Sequence, residues 1–295
     1  MMDMAEEVEQ LRLGEMPSQS VAIGSKPERI GGTAVSYRDA GSILSPATGF
    51  MSAYDFTLNP YSGCSFGCTY CYAAFFTRDK ELQDDWGAWV EAKENAARLI
   101  AKRRKGSLRD KRIYMSSVTD PYQPLERHLG LTRAILERLV EHQPRIVIQT
   151  RSGLVARDID LFSKFEHLRV NMTITTDSEE VRRAFEPNCP TTAVRLRAVQ
   201  ELQEAGIRTS ITMTPLLPVL DVDAFIVSLV ATGIEHFVVQ PFHADRGRFV
   251  AGTGEKALSL LRDLAWTKES YERTVAALRS GLPSLDEGQE GFAPE

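Results

Sequence analysis

Long apolar runs are absent from this 295-residue chain. No stretch approaches the roughly 18 consecutive apolar residues of a membrane-spanning helix. The first residues, with Glu6, Glu7 and Glu9, lack the charged-then-apolar pattern of a signal peptide. The expectation is a cytoplasmic protein with no membrane partner. An excess of one charge is also missing: 35 basic against 40 acidic residues leave a formal net charge of -5. Nucleic acid is therefore neither implied nor excluded, since only a local basic patch would favour it. Cysteine is scarce, and three of the four cysteines fall between positions 64 and 71. Neighbours that close make poor bridges, and a cytosolic chain stays reduced, so metal binding is the better reading than a disulfide framework. Fixed-period repeats and long low-complexity segments are lacking as well, which excludes a solenoid.

What remains is ordinary globular composition, 43% hydrophobic and 25% charged, long enough to bury a sizeable core. Residues 1–50 mix Gly, Ser and Pro and are expected to form an irregular N-terminal arm. From there strand and helix patterns alternate. Strands are predicted at Tyr54–Leu58, Arg112–Ser117, Arg145–Gln149, Arg169–Thr175, Arg208–Thr214 and His236–Gln240. Helices are predicted at Trp86–Lys102, Leu131–His142, Asp158–Phe165, Thr192–Ala205 and Val222–Ala231. Such alternation over 51–245 implies a parallel sheet, barrel-like or doubly wound. Residues 246–282 read as a C-terminal helical extension and 283–295 as a disordered tail.

The most informative stretch follows the first strand, where Cys64, Cys68 and Cys71 stand at C-x3-C-x2-C with Gly63 and Gly67 allowing tight turns. Iron–sulfur clusters take thiolate ligands at such spacings, and three thiolates leave one iron open. An open position is what a catalytic metal needs, whereas structural sites are closed by four protein ligands. The spacing also admits a zinc knuckle completed by a distant group, with Cys189, His128, His142, His167, His236 and His243 as candidates.

Together with Ser42-Ile43-Leu44, Asn59-Pro60-Tyr61, Cys71-Tyr72-Ala73, Thr119-Asp120-Pro121-Tyr122-Gln123-Pro124-Leu125-Glu126 and Glu186-Pro187 followed by Pro190, this motif resembles the radical S-adenosylmethionine (SAM) superfamily, in the branch related to spore photoproduct lyase. The likeness runs over roughly 42–245. It implies a partial (β/α)6 TIM-like barrel with a 4Fe-4S cluster at the C-terminal ends of the strands. SAM would chelate the open iron, and one electron from a reductant such as a flavodoxin or ferredoxin would cleave it to methionine and a 5'-deoxyadenosyl radical that takes a hydrogen atom from an unidentified substrate. The resemblance also distributes roles. Tyr70 would lie near the adenine of SAM, Ser117 and Thr119 would offer hydroxyls to its amino group, Arg151 would grip its carboxylate, and Thr175 would bond its ribose or methionine part. Cys189, the cysteine outside the cluster loop, is a candidate hydrogen donor to a product radical. Tyr122, Gln123, Glu126, His243 and Asp245 are read as loop braces or surface groups. The competing functions are a non-catalytic iron–sulfur or zinc-binding protein, a SAM-binding regulator, and a photoproduct lyase-like DNA repair enzyme.

Overall fold

A computed structural model of the chain describes residues 26–242 and 253–294. Its strands are β1 (Arg29–Ile30), β2 (Thr33–Arg38), β3 (Leu44–Pro46), β4 (Phe56–Leu58), β5 (Tyr61–Gly63), β6 (Trp89–Lys93), β7 (Arg112–Met115), β8 (Arg145–Thr150), β9 (Leu168–Thr173), β10 (Thr209–Met213), β11 (Phe237–Val239) and β12 (Leu285–Glu287). Eight of them form one sheet in the order β12-β11-β10-β9-β8-β7-β4-β3, parallel throughout except for β3, which runs antiparallel along β4. This is a partial barrel of the expected (β/α)6 kind, with β12 as one more parallel strand on its rim.

Period-two alternation sorts the strand residues onto two faces. Ile113, Met115, Ile146, Ile148, Val170, Met172, Ile211, Met213 and Val239 enter the main core beneath helices such as Leu131–Val140, Thr192–Glu204 and Val222–Val230. The alternate residues face the other way. There Tyr114, Val147 and Val238 pack with Met51, Tyr54 and Phe292, while Gln149 donates to Thr173 and Thr212 at 2.7 and 2.9 Å. The barrel interior is thus apolar toward the N-terminal ends of the strands and hydrogen-bonding toward the C-terminal ends, where a polar ligand can be received.

Three expectations about the elements are corrected. Residues 26–50 are not an irregular arm: β1, β2 and β3 lie there, and Gly31-Gly32 is the two-residue turn of the β1–β2 hairpin, with Arg29 opposite Ala34. The predicted helix Trp86–Lys102 is instead β6 followed by a short helix, Ala96–Ala101. Val90 and Ala92 alternate inward, and β6 is sandwiched between β2 and β5 in a second sheet of order β1-β2-β6-β5, so pairing overrides helix propensity. The tail is ordered too, since β12 pairs with β11 and Phe292 is buried with its carbonyl accepting from Tyr54 at 2.8 Å. The boundary expected at 245/246 lies outside the described residues.

Two helices lie in the C-terminal part, at Glu255–Asp263 and Lys268–Gly281. Ala257 and Leu261 of the first pack into one apolar cluster with Cys64, Phe66, Cys68 and Tyr70, so this helix roofs the cysteine loop.

Deleting the Phe292 ring leaves a cavity under the barrel, and the expected cost of Phe292→Ala is about 3–5 kcal/mol. Urea unfolding followed by circular dichroism checks this; an unchanged midpoint would return the tail to the disordered class.

Candidate functional site

The cysteine loop begins where β5 ends and is shaped by close backbone approach. Gly63 has φ +73°, and a Cβ there would sit 2.7 Å from the Trp89 carbonyl oxygen. Gly67, at φ +58°, lies against Gly87, whose own Cβ would come within 2.7 Å of the Gly67 Cα. Both turns therefore demand glycine. Within the loop, Gly67 N–H donates to the Cys64 carbonyl at 3.2 Å and Cys71 N–H to the Cys68 carbonyl at 3.1 Å. These two turns fold the stretch that carries the three thiols into one compact loop.

Side chains from the next strand-end loop brace it. Gln123 Oε1 accepts from the Ser65 N–H at 2.9 Å, Gln123 Nε2 donates to Thr119 Oγ1 at 3.2 Å, and that hydroxyl donates to the Gly63 carbonyl at 2.6 Å. Asn188 Nδ2 donates to the Ser65 carbonyl at 3.0 Å, and Thr69 N–H to the Phe185 carbonyl at 2.8 Å. Gln123 is thus a brace, as read from the sequence. Tyr122 and Glu126 are fully buried with bonds to Asp158, Tyr61 and Arg157.

At the centre stands Glu186, fully buried beyond the helix Glu179–Phe185. Its Oε2 is paired with Arg195, while Oε1 accepts from Tyr70 OH, from Thr175 Oγ1 at 3.0 Å and from Arg151 Nη1 at 3.4 Å. Burial opposes ionisation, but Arg195 and Arg151 outweigh it and hold the carboxyl at about 2. Arg151 Nη1 reaches three partners, adding Tyr70 OH at 2.6 Å and Cys68 Sγ at 3.1 Å. Its backbone N–H is fixed by Asp120, which also accepts from Thr150 and Tyr122. The hydrogen bond with Cys189 is the largest influence lowering the Cys68 thiol's pKa, while burial raises those of Cys64 and, to about 11, Cys71.

Three expected site residues, Tyr70, Arg151 and Thr175, therefore meet on Glu186. Ser117 and Thr119 sit elsewhere in the loop after β7. Ser117 Oγ accepts from Asn59 at 3.3 Å, and Thr119 is spent on Gly63 and Gln123. Their neighbour Ser116 has φ +75° and a buried Oγ without a hydrogen-bond partner. Cys189 Sγ lies 3.6 Å from Cys68 Sγ. His243 and Asp245 lie outside the described residues. Glu186 and Arg195 received no role from the sequence; the only signal was a Glu-Pro pair after a strand.

The donors suit a cluster better than a single ion. Among the described residues no three His, Cys, Asp or Glu side chains are gathered tightly around one point. His142, His167 and His236 precede β8, β9 and β11, at the strand ends remote from the loop. A cubane asks its three thiolates to hold three different irons, and Cys64, Cys68 and Cys71 are free thiols that follow one another on a single loop, the first two buried and the third partly so.

The sequence model of the Radical SAM superfamily matches residues 58–228. The chain belongs to this superfamily. A 173-residue stretch is 38% identical to an uncharacterized protein of Methanocaldococcus jannaschii, covering 58% of this chain and 64% of that one. A 186-residue stretch is 25% identical to a radical SAM Nalpha-GlyT isomerase of Pseudomonas phage M6, covering 61% and 38%. The chain thus spans less than two thirds of the length of these curated relatives. A solved spore photoproduct lyase variant superposes with a TM-score of 0.57 at 11% identity, over 96% of this chain and 92% of that one, which shows a shared fold.

Replacing Glu186 by Gln leaves two buried arginines undercompensated, with an expected cost of about 3–5 kcal/mol at neutral pH. Because the folded carboxyl sits at about 2 against its usual 4.5, its contribution is present above pH 4.5 and fades as pH falls toward 2. Urea unfolding of wild type and variant should show a gap that narrows through that window; a gap independent of pH would contradict the charge pairing.

Proposed function

We propose that this protein is a radical SAM enzyme that holds a 4Fe-4S cluster on Cys64, Cys68 and Cys71, cleaves SAM reductively and uses the 5'-deoxyadenosyl radical to take hydrogen from a substrate. The supporting observation is the joining of the three-thiol loop, through Tyr70 and Arg151, to a buried carboxylate at the C-terminal end of the barrel. The chemistry supplied there is transfer of one electron into the sulfonium of SAM, which releases methionine and the radical.

The protein's own residues bind, orient and exclude water. Arg151 uses Nη1 for its bonds to Cys68, Tyr70 and Glu186, and the rest of its guanidinium can donate to the SAM carboxylate. Ser116, with an unpartnered hydroxyl beside Ser117, suits the amino group better than Thr119 does. Tyr70, pinned at its hydroxyl and held edge-on to Phe242 at 5.8 Å, would present a fixed ring to the adenine, and Thr175, which shares Glu186 with it, would hold the ribose side. The helix Glu255–Asp263 shields the loop from solvent, which protects a radical from quenching. A flavodoxin or ferredoxin class of donor fits the electron demand. No helix among the described residues is long and apolar enough to cross a membrane.

Anaerobic reconstitution with iron and sulfide, followed by dithionite and SAM, should yield 5'-deoxyadenosine from wild type and none from the Cys64, Cys68, Cys71 triple alanine variant. Arg151→Met should weaken SAM binding by roughly tenfold or more, the loss of a charge-assisted hydrogen bond. Bound zinc without iron, or a cluster that never cleaves SAM, would overturn the reading in favour of a binding protein.

A further inference from the structure

Cys189 is the one thiol that the proposed chemistry leaves unused, and its surroundings are built rather than incidental. Its backbone is held on both sides: the N–H donates to the Glu186 carbonyl at 3.1 Å, and its carbonyl accepts from Arg182 Nη1 at 2.8 Å. The next carbonyl, of Pro190, accepts from Arg195 Nε at 3.0 Å. Arg182 and Arg195 are 5% and 1% exposed, so two buried guanidinium groups fix this turn. What the turn presents is a sulfur 3.6 Å from Cys68 Sγ, and the same Cys68 sulfur receives Arg151 Nη1 at 3.1 Å from another strand end. A thiol and a guanidinium from separate elements converge on one sulfur.

We propose that Cys189 acts as a positioning residue that donates its S–H to the iron-bound Cys68 thiolate and, together with Arg151, sets the reduction potential of the cluster. This rests on Cys68 being an iron ligand. A thiolate that binds iron can only accept, so the proton of the pair belongs to Cys189. Hydrogen bonds to ligating sulfurs withdraw electron density and favour the reduced, more negative cluster. The step is a one-electron reduction by an external donor such as dithionite; Cys189 keeps its proton, and no bond to iron forms or breaks. The thiol is then committed to Cys68, which displaces the expectation that it returns a hydrogen atom to product.

The test is an EPR-monitored redox titration, without SAM, of reconstituted wild type, Cys189→Ala and Cys189→Ser, with iron and sulfide content measured for each. At the wild-type midpoint, Cys189→Ala should show a reduced-to-oxidised ratio lower by roughly three- to tenfold, tenfold being about 59 mV for one electron. Cys189→Ser, which keeps a donor, should stay within about twofold of wild type. A merely structural cysteine would leave both potentials unmoved, and that result overturns the proposal while leaving the radical SAM reading intact. Both variants exposing a newly open iron would instead make Cys189 a ligand and overturn the proposal. A wild type that assembles no cluster would overturn the proposal together with the reading beneath it.

Discussion

The buried ion pairing of Glu186 with Arg151 and Arg195 is the constraint on which the site depends. A carboxylate with no exposure to water is tolerated only when its oxygens are fully engaged, and here both are. Each partner comes from a different part of the barrel. Arg151 follows β8, Thr175 follows β9, Arg195 belongs to the helix Thr192–Glu204, and Tyr70 belongs to the cysteine loop. One charged group therefore ties the reactive loop to three elements of the scaffold. The same turn carries Cys189 to Cys68.

The second sheet gains a purpose from this arrangement. β5 delivers the chain to Cys64, and β6, pairing with it, brings Trp89 and the preceding Gly87 against Gly63 and Gly67. Strand pairing on one side and the Glu186 web on the other hold a loop that has no regular structure of its own. A loop fixed in this way is pre-organised, so little ordering has to accompany the binding of a ligand. The helix Glu255–Asp263 then covers it with Ala257 and Leu261.

The strand series and the cysteine loop were legible in the sequence because they rest on local signals: apolar runs of strand length, helix-ending glycines such as Gly206, and three thiols at fixed spacing. β6 was not, because Trp89–Lys93 carries helix-compatible residues and becomes a strand only through β2 and β5. β12 and Phe292 were hidden by an acidic, glycine-containing tail in which Leu285 and Phe292 are buried singly. Within the site, Tyr70, Arg151 and Thr175 could be singled out through the family resemblance, but the carboxylate that gathers them could not. Glu186 lies 35 residues from Arg151 and 116 from Tyr70, and nothing in local pattern announces such contacts.

The proposed chemistry requires one iron that Cys64, Cys68 and Cys71 would leave open to SAM. Mössbauer spectroscopy of protein reconstituted with 57Fe, with and without SAM, measures this directly. The predicted result is that one iron of the cluster changes its isomer shift when SAM is added while the others keep theirs. A spectrum untouched by SAM, with all irons alike and sulfur-bound, would mean that Cys189 closes the site, and it would contradict the account.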